Sequence, residues 1–211
     1  MKKCFLGTIV VFGLMVGLTN YRMLAQPAEP KCTAKFLQSL TIRGLHLGMA
    51  ADEVLALFPG ASERQDIKEI LAKANGYPHW GFAGLSFVRN DIYAALRKEQ
   101  FDGVESISVS LFDERLVSFS IYYSGYGSGG AAWDSTNQFV SKTAGMLQLP
   151  TLENWVSNGS QMRLECGGPR ISIFSSGDSN SSISISDLRY QSIMQERERA
   201  RRETRRQEFK P

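Results

Sequence analysis

The sequence has little histidine and little cysteine, and this limits the chemistry that its side chains can support. Its two histidines, His46 and His79, belong to no H-x-x-x-H pattern, and its three cysteines form no C-x-x-C pair. Both patterns are typical of zinc ligands, so no metal site is predicted. The G-x-S-x-G motif of many serine hydrolases is also absent. We therefore predict no catalytic residues and no bound cofactor.

One glycine-rich motif matches a nucleotide-binding pattern. Residues 125–130, GYGSGG, satisfy G-x-G-x-x-G between a predicted strand and a predicted helix. A dinucleotide site needs this motif after a strand that is buried on both faces. The strand before residue 125 alternates apolar and polar residues, so the motif is interpreted as a loop.

Long apolar runs are missing except at the beginning of the chain. Residues 5–18, FLGTIVVFGLMVGL, follow a pair of lysines. Fourteen residues match the apolar region of a secretory signal and fall short of the ~20 that a membrane-spanning helix needs. We therefore expect residues 1–25 to be a signal peptide cleaved after Ala25, with the mature protein in the periplasm or outside the cell. The alternative is an uncleaved segment that anchors the protein in the inner membrane through residues 5–24.

No strong excess of one charge is present either, since 24 basic residues face 21 acidic ones. Without residues 1–25 the two signs balance, but residues 26–187 have a net charge of −4 and residues 188–211 one of +4. A mildly acidic body is a poor ligand for nucleic acid, so no nucleic-acid partner is expected. The tail, residues 189–211, is predicted to be a charged, mostly solvated helix. Binding to an anion or a membrane surface is the alternative.

Cleavage of the signal would leave two cysteines, Cys32 and Cys166. An oxidising compartment favours a disulfide, and two cysteines allow only one pairing. We expect this bond to tie the proline-containing lead, residues 26–38, to the second half of the chain. Two free buried thiols are the alternative.

Apolar residues first recur at helical spacing and then at every second position, and this succession of patterns occurs twice. The order predicts an α+β fold of two helix-plus-antiparallel-meander halves, residues 39–128 and 129–188. Helices are predicted over residues 49–58, 66–74 and 134–147. Strands are predicted over residues 84–90, 104–112, 115–123, 152–157, 161–166, 169–174 and 181–186.

The segment GLHLGM at residues 44–49, followed by Asp52-Glu53-Val54, resembles the helix entry of small envelope proteins of the SmpA/BamE type. Those proteins are lipoproteins of the outer-membrane assembly machinery. The twofold order of helix and strands is also similar to the tandem layout of the β-lactamase inhibitor protein. The resemblance implies an α+β fold and a location in the cell envelope. It carries over no site residue, and the lipid-attachment cysteine has no counterpart here.

The most unusual local cluster is aromatic and spans residues 77–82, YPHWGF. Its proline and glycine, with Asn75-Gly76 before them, prevent a regular element from holding it. Tyr77, His79, Trp80 and Phe82 are candidate partner-binding residues, because aromatic side chains are enriched at binding hot spots. The alternative is a loop that folds onto the core.

The combined expectation is an exported, non-enzymatic cell-envelope protein. It would bind a partner, another envelope protein, through its sheet face or its aromatic loop. Two alternatives belong to other classes: a small secreted hydrolase whose site follows no known motif, and a membrane-anchored structural protein.

Overall fold

A computed structural model describes residues 32–76, 79–89, 103–124, 135–150, 152–175 and 180–208. The helices are α1 Ala34–Ser39, α2 Ala51–Ala56, α3 Gln65–Ala74, α4 Thr136–Met146 and α5 Arg189–Glu208, with 3₁₀ turns at Ala61–Glu63 and Leu152–Asn154. The strands are β1 Phe82–Val88, β2 Val104–Phe112, β3 Arg115–Ser124, β4 Val156–Asn158, β5 Gln161–Glu165, β6 Pro169–Ser175 and β7 Asn180–Asp187.

All seven strands form one antiparallel sheet in the order β1-β2-β3-β7-β6-β5-β4. Strands β1 to β3 form one meander and β4 to β7 a second, and the last strand of each meander pairs with the other. The α+β fold of two helix-plus-meander halves is therefore confirmed. The two halves share a single sheet because β3 and β7 lie side by side.

The core lies on one face of the sheet. Alternate residues of β1, β2, β3, β6 and β7 point to that face and are buried, as the period of two predicts. They include Leu85, Phe87, Ile107, Val109, Phe119, Ile121, Ile171, Ile173, Ile183 and Ile185. Helices α1 to α4 all contact the strands. The rings of Phe58 and Phe87 stack with centroids 3.8 Å apart, which ties the chain beyond α2 to β1.

Local sequence signals explain where the short helices begin. Thr33 caps α1, since its side chain accepts the Phe36 N–H at 3.2 Å. At the start of α2, Ala50 has no capping side chain, and the Glu53 carboxylate instead accepts the Ala50 N–H at 2.8 Å. Acidic residues in the first turn also match the helix dipole.

A disulfide joins Cys32 and Cys166, as expected. The two Cα atoms are 4.9 Å apart and the bond spans 134 residues of sequence. Both cysteines are buried, and the bond ties the residue before the α1 cap to the connection between β5 and β6.

Two segments differ from the predicted elements. No helix was predicted in the lead, but its last residues form the start of α1 because Thr33 caps them and Leu37 is buried. The strand predicted over residues 152–157 is a 3₁₀ turn followed by the short β4. Buried Trp155 explains the break, because its indole N–H donates to the Pro150 carbonyl at 3.0 Å and folds the chain back.

Several expectations fall outside the described residues: the signal peptide or anchor at residues 1–25, the loop at residues 125–130, and Tyr77. Within the described part of the chain, no helix combines the length and apolar character that crossing a membrane requires.

Candidate partner-binding site

Backbone hydrogen bonds hold the described residues of the turn between α3 and β1, which are Asn75, Gly76 and residues 79–81. The N–H groups of His79 and Trp80 both donate to the Gly76 carbonyl, at 2.8 and 3.2 Å. The Gly81 N–H donates to the Ala74 carbonyl at 2.7 Å. This last bond satisfies a carbonyl in the final turn of α3 that lacks a partner inside the helix. The turn is therefore fixed to the helix that precedes it.

The backbone of this turn is strained at Trp80. Its φ angle is 54°, in the left-handed region that a bulky side chain rarely adopts, and Gly81 follows with φ 94°. A Cβ atom on Gly81 would overlap Asp113 Oδ1 and lie 2.7 Å from Arg197 Nη1. Glycine is thus required at position 81. Strain of this kind persists only where the surroundings determine the conformation.

Arg197 of α5 supplies those surroundings. Its Nη1 donates to the Trp80 carbonyl and to Asp113 Oδ1, both at 2.8 Å, and its Nη2 donates to Asp113 Oδ2 at 2.7 Å. The same guanidinium lies 4.8 Å from the centroid of the Phe112 ring. We call this set of contacts the Arg197 clasp. It joins α5 to the turn before β1 and to the hairpin between β2 and β3.

The clasp is a charge-assisted pair near the surface. Hydrogen bonds from Arg197 hold the pKa of the Asp113 carboxyl below its usual value, and the same bonds raise the pKa of Arg197. Both groups are therefore charged at neutral pH. Their side chains remain 40% and 47% exposed, so solvent screening limits the pair to about 1 kcal/mol or less.

A second contact between α5 and the sheet is aromatic. The Tyr190 ring lies 5.9 Å from the Phe82 ring and 5.8 Å from the Phe112 ring, centroid to centroid. Phe82 and Phe112 are opposite each other in the register of β1 and β2. The Phe82 ring therefore stacks with Tyr190 of the same chain. Of the other candidate residues in this turn, His79 is exposed and Trp80 is partly exposed.

Helix α5 and the turn before β1 line an open groove with a volume of about 370 Å³. We call it the Trp80 groove, and its lining residues are Asn75, Trp80, Gly81, Arg197, Ala200, Arg201 and Thr204. Arg197, Arg201 and Thr204 follow at helical spacing and therefore lie on one side of α5. One wall is the strained turn and the other is the charged tail.

The sheet face opposite the core was the other expected binding surface. Its side chains are mostly small hydroxyls: Ser86, Ser106, Ser108, Ser110, Ser118, Ser120, Ser172, Ser182, Ser184 and Ser186. Where the two meanders meet, Ser118 bonds Ser186 at 2.8 Å and Ser120 bonds Ser184 at 2.7 Å. These pairs stabilise the junction of the halves. The apolar area of this face lies at one end of the strands, where Val88 and Tyr122, 51% and 43% exposed, align with Phe174 in one row across the sheet.

The chain matches no family model, and searches of curated proteins and of solved structures find no match. The proposed function therefore rests on the geometry of its own residues. The resemblance to SmpA/BamE-type proteins and to the β-lactamase inhibitor protein stays a prediction.

Other side-chain chemistry in the described residues is limited. Among them, no group of three or more His, Cys, Asp or Glu side chains could hold a metal ion. His46 Nδ1 lies 3.1 Å from the Leu47 carbonyl oxygen, and the exposed His79 lies in the turn beside the Trp80 groove.

Sequence reasoning identified the turn but missed the second wall of the groove. The predicted tail was a solvated helix because its residues are nearly all charged. One signal could have indicated contact: Ala200 and Thr204, both small, share a helical side with Arg197 and Arg201. Small residues on one side of a highly charged helix leave room for another surface to approach.

Proposed function

We propose that this chain is an exported, non-enzymatic cell-envelope protein that binds another envelope protein through the Trp80 groove. One observation carries the proposal: a partly exposed tryptophan is held with φ 54° beside a groove by an arginine from a distant helix. Strained residues cluster where ligands bind, and tryptophan and arginine are enriched at the energetic centres of interfaces.

The groove supports protein binding better than the serine face does. A tryptophan in a concave site can bury a large apolar area with little loss of backbone freedom, since its N–H and its carbonyl are already bonded to Gly76 and Arg197. On the serine face the exposed aromatic side chain is Tyr122, which lies in regular strand backbone without the strained φ angle of Trp80. Of the two surfaces that the sequence suggests, the groove is therefore the better supported.

Export is supported by the Cys32–Cys166 bond, because disulfides persist in oxidising compartments and are rare where thiols are kept reduced. The proposal includes the signal peptide at residues 1–25, or the anchor at residues 5–24 if cleavage fails. The periplasm or the extracellular space is the proposed location.

Photo-crosslinking in the producing cells tests this function. A photoreactive amino acid would replace Asn75 or Thr204, one on each wall of the groove, and Val156 would serve as control. Val156 is 60% exposed and lies in β4, at the opposite edge of the sheet from the strand that follows Trp80. We expect both groove positions to form an adduct with the same protein. Adducts that form equally from Val156, or no adduct from either wall, would contradict the proposal.

A further inference from the structure

The two arginines that line the Trp80 groove, Arg197 and Arg201, differ in their ion pairs. Arg197 is paired with Asp113, and on the neighbouring turn Arg202 donates to Glu198 at 2.6 Å. Within the described part of the chain, Arg201 has no carboxylate at salt-bridge distance, and it lines the groove. A positive charge with no carboxylate partner among the described residues therefore lies beside the partly exposed Trp80.

We propose that the Trp80 groove takes an acidic peptide segment of the partner, with an aromatic or long aliphatic side chain against Trp80 and a carboxylate on Arg201. This inference rests on the proposed function and names the chemistry of the partner. Arginine suits the role because its planar guanidinium can bind a carboxylate through two parallel hydrogen bonds.

The dimensions of the groove fit a short extended segment. Thr204 lies seven positions after Arg197, which is about 10 Å along a helix axis at 1.5 Å per residue. An extended chain covers that distance with about three residues. Such a segment has room for one apolar side chain and a neighbouring carboxylate.

The polar groups of the walls also suit a peptide. Arg197 Nη1 donates both of its N–H groups, one to the Trp80 carbonyl and one to Asp113. Arg197 therefore shapes the groove, and the carboxylate of the peptide would bind Arg201. The Thr204 hydroxyl donates to the Ala200 carbonyl at 3.1 Å and keeps its lone pairs as acceptors for a peptide N–H. The exposed Asn75 amide offers a donor and an acceptor on the other wall.

A peptide fits these observations better than an anionic membrane surface. The groove is concave, whereas a bilayer surface is flat on this scale. Helix α5 has no buried residue, and it lacks the continuous apolar side with which a helix lies in a bilayer interface. Its outer side also alternates arginines with Glu198 and Glu203, which weakens attraction to a uniform negative surface.

Selection from random 12-residue peptides displayed on phage, against the full exported protein, tests the inference. We expect the selected peptides to combine Asp or Glu with an aromatic or aliphatic neighbour. Arg201→Glu should weaken their binding at least about tenfold, because it reverses the charge that faces the carboxylate. Arg199→Glu is the matched control: it makes the same charge change on α5, at a position outside the groove lining, and should have little effect.

Further outcomes separate this inference from the proposed function. Peptides that need Trp80 but carry no acidic residue, or that bind Arg201→Glu normally, would overturn the acidic segment and leave the groove as a binding site. Peptides that bind Trp80→Ala as well as the natural protein would overturn both.

Vesicles that contain phosphatidylglycerol form the last arm of the experiment. Vesicle binding that Arg199→Glu and Arg201→Glu weaken equally, with no peptide selected, would overturn the inference in favour of a membrane. Melting temperatures within about 2 °C of the natural protein confirm that the exposed charge variants fold.

Discussion

At the scale of single residues, the contact between Arg197 and Asp113 determines how the turn is held. The Asp113 carboxyl has a folded-state pKa below its ordinary value because Arg197 donates two hydrogen bonds to it. A carboxyl with a lowered pKa contributes stability above its unfolded pKa, about 3.9, and loses that contribution as the pH falls through the folded pKa. The contact is therefore complete at neutral pH.

The first prediction is the pH dependence of this contact. The difference in unfolding free energy between the natural protein and Asp113→Asn should be constant from about pH 5 to 8 and should shrink below about pH 4. Asparagine suits the φ of 47° at this position, so the comparison isolates the charge. Because the pair is exposed, the difference should not exceed about 1 kcal/mol. Thermal melts at successive pH values measure it, and a difference that persists unchanged at pH 2.5 would contradict the prediction.

The second prediction concerns backbone strain at Trp80. Trp80→Ala removes the indole but keeps a Cβ atom in the left-handed region, whereas Trp80→Gly removes both the indole and the strain. We expect the glycine variant to be the more stable of the two by about 0.5–1 kcal/mol, the reverse of the usual order. Urea denaturation of the two variants measures this difference. A less stable glycine variant would show that the strained φ is not maintained in solution.

At the scale of elements, α5 is attached to the body by few contacts. None of its 20 residues is buried, and Tyr190 and Arg197 contact the sheet and its hairpin. Its start is fixed separately: Asp187 accepts the Arg189 N–H at 3.2 Å, and hydrogen bonds from the Arg189 side chain lower the pKa of Asp187. The helix is thus positioned with little burial of its own.

Two truncations separate the contributions of α5, and they form the third prediction. Truncation after Met194 removes Arg197 and should lower the melting temperature by less than about 5 °C, since the lost pair is exposed. Truncation after Leu188 also removes Tyr190 from its place between Phe82 and Phe112, and should cost more. Calorimetry compares the two chains. Equal losses would mean that the aromatic contact contributes nothing.

The disulfide is the strongest link between distant elements, and its removal is the fourth prediction. The double variant Cys32→Ser, Cys166→Ser frees a loop with a sequence separation of 134 residues. The chain-entropy model gives a loss of up to ~5 kcal/mol for a loop of this size, and measured losses are often smaller. Urea denaturation should show a clear drop in stability. Unchanged stability, or two free thiols in protein taken from its own compartment, would refute the role of the bond.

Sequence patterns predict regular elements well here and predict their contacts poorly. The strands could be found because alternation at period two is local, as in ISVSLF of β2. The Arg197 clasp could not, because its partners Trp80 and Asp113 lie 117 and 84 residues away and a long charged side chain is usually solvated. The φ angle of Trp80 has no sequence signal either, except that glycine follows it.

At the scale of the whole molecule, the structure shows where the basic tail contacts the rest of the protein. The basic tail meets the body at Asp113, where Arg197 pairs with the carboxylate. The docked helix puts its arginines beside the aromatic turn. A surface that combines a tryptophan on a fixed backbone with local positive charge suits an acidic, partly apolar partner.

The single sheet gives this surface a rigid base. Trp80 lies two residues before β1, and Asp113 lies in the turn between β2 and β3, so the sheet holds the turn wall directly and the α5 wall through the contact between Arg197 and Asp113. Binding sites held by such elements lose little entropy when a partner docks. The groove is therefore a preorganised feature of the fold.

If Trp80 binds a partner, removing its side chain should reduce crosslinking from the opposite wall of the groove. The photoreactive residue at Thr204 would be combined with Trp80→Gly, and the adduct yield and the melting temperature would be measured on the same protein. We expect the adduct to fall at least about tenfold while the melting temperature stays within about 5 °C of the natural protein, since an interface anchor is lost without core packing. An undiminished adduct, or a protein that no longer folds, would contradict the claim.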